Sequence, residues 1–376
     1  MRTILPLNPP RRMLFGPGPS MVDPRVYEEL AKPIVGHLDP FFFGVLEDTA
    51  ELLREVFGTR NRFTMVMSGT GSAGMEAAVA NFAAPGSKLA VFANGYFCDR
   101  ISEMGRRQGA QVVRFEKKWG EAFSDDEASE WIHREKPATV AFVHVETSTG
   151  VVQAAKAICT AAHEVGALTI ADCVTSLGGM PVEVDANGID VAYSCSQKAL
   201  SCPPGLAPIT VSERALERLH ARQTSIPEWY LDLQLLEQYF TSARRYHHTL
   251  PISMFYALRR ALGLIAEEGL QARWDRHRRS HLAFVAGIEA MDLRMHVPEG
   301  RRAWTLNTPV VPDGIDDAKV RRRLLDEDGI EVLGGFGPLA GKVLRVGLMG
   351  LLATDDCVAF LLERLEKALR AEGYAR

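Results

Sequence analysis

The chain has 376 residues, more than one ordinary hydrophobic core holds, so we predict two lobes of unequal size. Apolar residues make up 47% and charged residues 24%, a composition typical of globular proteins and unlike that of disordered ones. The 43 basic residues nearly balance the 47 acidic ones, and the resulting charge of −4 argues against nucleic acid or anionic lipid as a partner.

The six cysteines match no disulfide framework and no zinc motif, and no Cys-x-x-Cys occurs. Free thiols are typical of a reducing compartment, so we expect a cytoplasmic protein. The N-terminus carries early prolines and no long apolar segment, and no run of about 18 apolar residues follows. We therefore expect neither a signal peptide nor a membrane span.

From about residue 62 to residue 211, short apolar runs rich in β-branched residues alternate with amphipathic stretches. Helices are predicted at 75–82 and 155–165, among others, and strands at 63–67, 89–92, 111–115, 139–143, 168–171, 190–193 and 207–211. This alternation predicts an α/β fold with a mostly parallel sheet covered by helices on both faces. Such sheets bind ligands at the carboxyl ends of their strands, so the residues after each strand are the candidates for chemistry.

Beyond about residue 251 the pattern changes to a long helical region, 253–291, followed by alternating strands and helices at 303–311, 316–326, 342–346 and 355–371. This order predicts a smaller α+β domain. We place an N-terminal arm at 1–20, a large domain at 21–250, and the small domain with its linking helix at 251–376.

A glycine-rich turn, Gly69-Thr70-Gly71-Ser72-Ala73-Gly74, follows the first predicted strand and has the form G-x-G-x-x-G. Such a turn lets the backbone approach a phosphate, and the helix that it opens supplies unpaired N–H groups. A dinucleotide site also needs an acidic residue about 20 positions later, but the next strand ends in Phe92-Ala93-Asn94-Gly95. We favour a single phosphate monoester, with a plain glycine turn as the alternative.

Two charged residues lie at the ends of later strands. Asp172 ends the strand 168–171 and suits a protonated pyridine nitrogen, with a helix cap or a salt bridge as the alternatives. Val174 would point to the same side if the strand continued, and could form an apolar floor under a ring. Lys198, between small polar residues at another strand exit, is a candidate Schiff-base lysine, although most lysines are solvated surface charges.

Other side chains could complete such a site. Phe97 could stack on a cofactor ring, although ordinary core packing is the more common reason for such an aromatic, and the hydroxyl of Thr147 could bond a phenolic oxygen. Arg345, alone in an apolar strand, suits a substrate carboxylate or an internal salt bridge. In Tyr246-His247-His248-Thr249 the two hydroxyl groups could donate hydrogen bonds to a phosphate. The two histidines are adjacent, so their side chains point in different directions and we predict no metal site.

Taken together, these motifs resemble those of the class V, fold-type I pyridoxal-phosphate aminotransferases, in particular the alanine–glyoxylate and serine–glyoxylate (serine–pyruvate) group. The resemblance runs from Leu14–Ser20 to the Arg345 strand and depends most on three segments: Ser194–Leu200, Tyr246–Thr249, and Gly334-Gly335-Phe336-Gly337-Pro338. It implies a large domain with a mostly parallel sheet flanked by helices, a smaller α+β C-terminal domain, and pyridoxal 5′-phosphate as the cofactor.

The resemblance also implies a role for each candidate residue. Lys198 would form the aldimine with the cofactor and shuttle the proton, while Asp172 would pair with the ring nitrogen. Cofactor contacts would come from Thr70, Gly71, Ser72 and Gln197 at the phosphate, from Thr147 at the phenolic oxygen, and from Phe97 and Val174 at the ring. Arg345 and Gly16 would bind substrate, and Tyr246 and Thr249 would reach the partner's cofactor in a homodimer.

The implied reaction is a ping-pong transfer of the amino group of alanine or serine to glyoxylate or a similar 2-oxo acid. Ser72 and Phe97 stand where close relatives carry histidine and tryptophan, which leaves other donors open: ureidoglycine, aminoethylphosphonate or pyridoxamine. A desulfurase is disfavoured because Gln197 replaces the histidine of that family and Cys357 lies in a terminal helix. An NAD-dependent oxidoreductase would leave Lys198 without a task.

Overall fold

The computed structural model describes residues 4–241 and 243–375. The strands are β1 (Met13–Leu14), β2 (Phe63–Ser68), β3 (Lys88–Ala93), β4 (Gln111–Glu116), β5 (Thr139–Val143), β6 (Leu168–Asp172), β7 (Val191–Tyr193), β8 (Leu206–Val211), β9 (Leu306–Asn307), β10 (Ile330–Glu331), β11 (Leu333–Gly334) and β12 (Leu344–Gly347). The helices are α1 (Pro24–Leu30), α2 (Pro40–Phe57), α3 (Gly71–Phe82), α4 (Tyr96–Arg107), α5 (Asp125–Glu135), α6 (Lys156–Glu164), α7 (Val184–Asn187), α8 (Glu213–His220), α9 (Leu233–Phe240), α10 (Ile252–Glu268), α11 (Leu270–Ala290), α12 (Asp317–Asp328) and α13 (Asp355–Ala371).

A seven-stranded sheet organises the larger lobe, with the strand order β2-β8-β7-β6-β5-β3-β4. Every neighbouring pair is parallel except the two that involve β8, which runs antiparallel to both β2 and β7. The predicted mostly parallel α/β sheet is therefore confirmed. The predicted strands lie within one or two residues of the observed ones, because continuous apolar runs mark strands that are buried on both faces.

Side chains along these strands alternate between two hydrophobic clusters, one on each face of the sheet. On β5, for example, Val140 and Phe142 belong to one cluster, whereas Ala141 and Val143 belong to the other. Helices α2, α5, α6 and α10 contribute to the first cluster, and α3, α4, α8 and α9 to the second. With both faces covered, the carboxyl ends of the parallel strands are the part of the sheet open to a ligand.

The C-terminal lobe contains an antiparallel sheet in the order β11-β12-β9 and a third hydrophobic cluster formed with α11, α12 and α13. The strand predicted at 303–311 was too long: regular pairing is confined to β9, and Pro309 and Val310 form only isolated bridges. Proline lacks the N–H that a ladder requires, which explains the early end. The helical region predicted at 253–291 is two helices, because Gly269 adopts φ 82 between α10 and α11.

The two lobes are joined through α10 and α11. Phe255 and Ile265 of α10 pack in the first cluster of the large lobe, whereas Phe284 and Ile288 of α11 pack in the third cluster. The predicted domain boundary at residue 250 stays a prediction.

Near the N-terminus, β1 pairs in parallel with β10, so this part of the arm packs on the smaller lobe. Among the described helices, none has the length and apolarity needed to cross a lipid bilayer.

Candidate active site

Lys198 lies in the turn that follows β7, and its backbone is held from two directions. The hydroxyl of Ser20 donates to the carbonyl of Lys198 at 2.6 Å, and Nη2 of Arg273 donates to the carbonyl of Ala199 at 2.6 Å. The amine itself donates to the carbonyl of Pro17. Burial lowers the pKa of Lys198 and the charge of Arg345 lowers it further, against the opposing effects of Cys195 and Asp172. The site therefore favours the neutral amine, which is the form that acts as nucleophile or base.

Asp172 ends β6 and is 2% exposed. Its carboxylate accepts hydrogen bonds from the N–H of Val174 and from the hydroxyl of Tyr193, each at 2.9 Å. Burial raises the pKa of Asp172 to about 7. No basic side chain within the described ranges lies at salt-bridge distance, which removes the salt-bridge alternative, and no described helix begins at Asp172, which removes the helix cap. A cation from outside would suit this carboxylate.

The sequence argument required the strand to continue through Val174. This was wrong, because β6 ends at Asp172 and the chain turns there. Its side chain nevertheless faces the glycine turn. A Cβ added to Gly71 would lie 3.1 Å from Cγ2 of Val174 and 3.0 Å from Cβ of Cys195. Gly71 thus brings the start of α3 close to the segments that carry Asp172 and Lys198.

The glycine turn itself has the features of an anion site. Thr70 is the N-cap residue of α3 but makes no side-chain capping hydrogen bond, so the first-turn N–H groups of α3 are not capped by that hydroxyl. Gly69 adopts φ 143, which a residue with a side chain rarely reaches, and its N–H donates to Gly205 at 2.9 Å. The start of α3 thus fits a phosphate. The buried Oε1 of Gln197 lacks a hydrogen-bond partner in the part of the chain described, but it is an acceptor and does not bond a phosphate oxygen.

Arg100 is a candidate that the sequence argument missed. Its Nη1 donates to Oγ of Ser72 at 3.0 Å, and its guanidinium carbon lies 5.0 Å from the centroid of the Phe97 ring. The arginine thus connects the predicted ring-stacking residue to the phosphate turn and adds a positive charge beside it. The signal was its spacing, since Arg100 lies three residues after Phe97 and both are in α4.

Glu146 is a second residue whose role was missed, although it directly precedes Thr147. It follows β5 and is fully buried. Its carboxylate accepts hydrogen bonds from the N–H of Phe97 at 3.2 Å, from the N–H of Ser148 at 2.9 Å and from the hydroxyl of Ser148 at 2.7 Å. Burial raises its pKa, while these hydrogen bonds oppose that effect. A Cβ on Gly95 would lie 2.2 Å from Cγ of Glu146, so only glycine lets this carboxylate reach the start of α4.

We expect Glu146→Ala to lower the free energy of unfolding by about 2–3 kcal/mol, because it leaves buried N–H groups of Phe97 and Ser148 without an acceptor. Glu146→Gln keeps one acceptor oxygen and should cost less. Urea denaturation of the cofactor-free protein measures both, with the exposed Glu130→Ala as control. Equal midpoints for all three variants would contradict the capping role.

Arg345 in β12 is 2% exposed. Its Nε donates to the carbonyl of Gly334 at 2.8 Å, and Nη1 donates to the carbonyl of Thr147 at 3.4 Å. Burial lowers the pKa of Arg345 to about 10, and the charge of Glu146 opposes this. No carboxylate in the described chain lies at salt-bridge distance, which removes the internal salt bridge as an explanation and leaves a buried cation suited to an external carboxylate.

Gly16 and Thr147 lie beside these charged groups. The carbonyl of Phe15 accepts the N–H of Gly347 at 2.7 Å, so the segment through Gly16 and Pro17 runs between β12 and the amine of Lys198. A Cβ on Gly16 would lie 3.4 Å from Cγ of Leu333. The hydroxyl of Thr147 hydrogen-bonds that of Thr175, which joins the segments that follow β5 and β6.

Tyr246 and Thr249 are not brought to Lys198 within one chain. Tyr246 is 54% exposed, with its ring 5.0 Å from that of His37, and Thr249 is exposed as well. Between them, Nε2 of His248 lies 2.9 Å from Oγ of Ser68, the residue before the glycine turn. The segment thus flanks the phosphate turn but points its hydroxyls outward. Within the described residues, no group of three or more His, Cys, Asp or Glu side chains could hold a metal ion.

Comparison with known proteins decides the family. The profile described as Aminotransferase class-V matches residues 15–348. The chain is a class V aminotransferase. It is 46% identical to a solved alanine–glyoxylate aminotransferase from Nostoc sp., with a TM-score of 0.96 and 98% of each chain covered. It is also 39% identical to the (S)-ureidoglycine–glyoxylate transaminase of Bacillus subtilis, over 96% of this chain and 91% of that protein, and 36% identical to the alanine–glyoxylate aminotransferase of Callithrix jacchus, over 97% and 89%.

Members of this class depend on pyridoxal 5′-phosphate, and the residues of this aminotransferase fit that cofactor. The start of α3, which no Thr70 side-chain hydrogen bond caps, suits its phosphate, and Asp172, buried without a salt-bridge partner among the described residues, suits its protonated ring nitrogen. When bound, the cofactor supplies an electron-withdrawing ring that stabilises the carbanion left after an amino acid loses its α-proton. The fold-type I architecture implied by the sequence is confirmed by the Nostoc structure.

Proposed function

We propose that this class V aminotransferase transfers the amino group of a small amino acid, alanine or serine, to glyoxylate by ping-pong chemistry. The observation that carries the proposal is the buried guanidinium of Arg345, which has no carboxylate partner in the described chain and lowers the pKa of the Lys198 amine. A receptor for a carboxylate thus lies within electrostatic reach of an amine whose pKa is lowered. An α-amino acid and a 2-oxo acid present a carboxylate next to the reacting carbon, as this arrangement requires.

The acceptor has more support than the donor. The relatives named above differ in donor, alanine in two cases and (S)-ureidoglycine in one, but glyoxylate is part of all three names. (S)-Ureidoglycine is therefore the main alternative donor. Aminoethylphosphonate and pyridoxamine carry no carboxylate, so Arg345 would serve only the acceptor in their case, and the geometry favours them less.

Each residue then has a defined role. Arg345 binds the substrate carboxylate and fixes the orientation of the reacting carbon. The neutral amine of Lys198 takes the proton from that carbon and returns it at the neighbouring position, as a general base and then a general acid. Asp172 keeps a proton on the ring nitrogen by remaining a carboxylate beside it, and Thr147 orients the ring from the loop after β5.

A donor screen tests this proposal. Purified protein is incubated with glyoxylate and with alanine, serine or (S)-ureidoglycine, and glycine is quantified. The proposal predicts glycine formation from alanine or serine. Glycine from (S)-ureidoglycine alone would establish the alternative donor, and no glycine from any of them would contradict glyoxylate as the acceptor.

Arg345→Lys should lower kcat/KM for alanine and for glyoxylate by about 10- to 100-fold, mainly through KM, because an ammonium cannot reproduce a bidentate, charge-assisted contact. Steady-state kinetics measures the change. The matched control is Arg370→Lys on the surface of α13, which should leave both constants unchanged. An unchanged KM in the Arg345 variant would show that the carboxylate binds elsewhere.

The proposal includes a homodimer in which Tyr246 and Thr249 reach the partner's cofactor. Neither hydroxyl makes a hydrogen bond in the part of the chain described, and both lie on the surface next to the phosphate turn.

A cytoplasmic location is also proposed. It is supported by the cysteines, which are all free in the structure and mostly buried.

A further inference from the structure

The partly exposed ring of Phe336 lies over the guanidinium of Arg345, and a second exposed aromatic residue, Tyr96, lies against Phe336. The ring centroid of Phe336 lies 3.7 Å from the guanidinium carbon of Arg345, and the ring of Tyr96 lies 5.2 Å from that of Phe336. Phe336 is 38% and Tyr96 40% exposed, whereas Arg345 beneath them is 2% exposed. Large exposed aromatics gain little by remaining in water, so the position of Phe336 over a buried cation, with Tyr96 against it, indicates a task at the site.

The two rings come from different lobes, and both backbones are fixed. Tyr96 opens α4 in the large lobe, where its N–H donates to Oγ of Ser148 at 3.1 Å. Phe336 lies between β11 and β12 in the smaller lobe, where its carbonyl accepts the N–H of Leu339 at 2.8 Å. A Cβ on the preceding Gly335 would lie 2.1 Å from the carbonyl oxygen of Leu339, so this tight turn requires glycine.

The Phe336 ring also determines which part of Arg345 a substrate can use. A ring at this distance occupies one face of the guanidinium and attracts it through the π-system. Backbone carbonyls take hydrogen bonds from Nε and Nη1, while Nη2 donates none to the described residues. The guanidinium edge that carries Nη2 is then what remains for a carboxylate.

We propose that Phe336 and Tyr96 form an aromatic wall that orients Arg345 and limits the size of the side chain on the amino donor. The inference rests on the proposed function, in which Arg345 holds the substrate carboxylate. With the carboxylate fixed at Arg345 and the reacting carbon at Lys198, a long donor side chain meets this wall, whereas a methyl or hydroxymethyl group does not. Phe336 is thus a positioning and specificity residue.

The test compares kcat/KM for L-alanine, L-2-aminobutyrate and L-norvaline, with glyoxylate as the fixed acceptor and glycine as the measured product. The variants are Phe336→Ala, Phe336→Leu, Tyr96→Ala and the double alanine variant. Leu282→Ala, an exposed position on α11, is the control for any general effect of truncation.

Phe336→Ala should lower the alanine-to-norvaline ratio of kcat/KM by about tenfold, the scale of discrimination by a methylene or two in an apolar pocket. Phe336→Leu keeps most of the bulk but loses the cation–π contact, so it should retain the ratio while KM rises about two- to fivefold for every donor. The double variant should change the ratio by less than the product of the single changes, because the two rings are in contact.

Two results would overturn the inference. In the first, the wild type is active with alanine, but the alanine-to-norvaline ratio of kcat/KM is the same in Phe336→Ala and Tyr96→Ala as in the wild type. This result would contradict the wall and leave the transaminase activity standing. In the second, Leu282→Ala changes the ratio by as much as Phe336→Ala does. A wild type that forms no glycine from any donor contradicts the proposed function itself, and thereby the wall as well.

Discussion

Lys198→Ala is expected to lower the turnover of transamination by about 10⁴-fold, because it removes the amine of the site, whose pKa burial lowers. The carbonyl of Pro17 and the guanidinium of Arg345 stay in place, so substrate binding should survive while chemistry stops. Single-turnover glycine formation measures the loss. The control is Lys367→Ala on exposed α13, which should retain wild-type rates.

The same variant separates the two tasks of Lys198. The phosphate turn and Gln197 are intact in it, so the protein should still take up pyridoxal 5′-phosphate from solution, but borohydride should no longer attach the cofactor covalently to the protein. An added primary amine should restore part of the turnover if the missing group is only a base. Turnover above about a tenth of wild type, without an added amine, would contradict the assignment.

Asp172→Asn should lower turnover by about 10²–10³-fold, since an amide cannot hold a proton on the ring nitrogen by charge. In the cofactor-free wild type, burial raises the pKa of Asp172 to about 7. The carboxylate that pairs with a cation exists above that pH, so the cofactor affinity of the wild type should weaken as the pH falls through about 7. Above pH 7 the Asn variant should bind the cofactor more weakly than the wild type does, and its cofactor affinity should no longer change as the pH passes through about 7.

Equilibrium dialysis of the cofactor at several pH values, together with glycine formation, gives both readouts. Asp126→Asn at the exposed start of α5 is the matched control and should behave as wild type. A variant at Asp172 that keeps near-normal turnover would remove this residue from the mechanism. A turnover loss with an unchanged pH profile of cofactor binding would instead indicate a purely structural role.

The large lobe and most candidate residues could be predicted from sequence because both follow from local patterns. Continuous apolar runs mark strands buried on both faces, and Asp172 and the Gly69–Gly74 turn were found by reading the residues after such strands. Lys198 and Arg345 were candidates from their local sequence, but a solvated lysine and an internal salt bridge were open alternatives, and only the resemblance of several motifs together favoured their functional roles.

What the sequence could not predict depends on contacts between distant segments. Nothing local shows that Glu146 reaches the start of α4, or that Phe336 lies over Arg345 and against Tyr96 from another lobe. Local breaks also went unseen: Gly269 with its positive φ splits one predicted helix, and the chain turns after Asp172, so that Val174 faces Gly71 without being part of a strand. Tertiary packing fixed the first two contacts, whereas the break at Gly269 follows from the backbone freedom of glycine.

A two-stage incubation tests the central claim most directly. The cofactor-loaded protein is mixed with L-alanine alone, pyruvate is quantified, and the protein is then desalted and mixed with glyoxylate alone. Ping-pong transfer through Lys198 predicts one pyruvate per site in the first stage and one glycine per site in the second. No pyruvate until glyoxylate is also present, or the same yields from Lys198→Ala, would contradict the account.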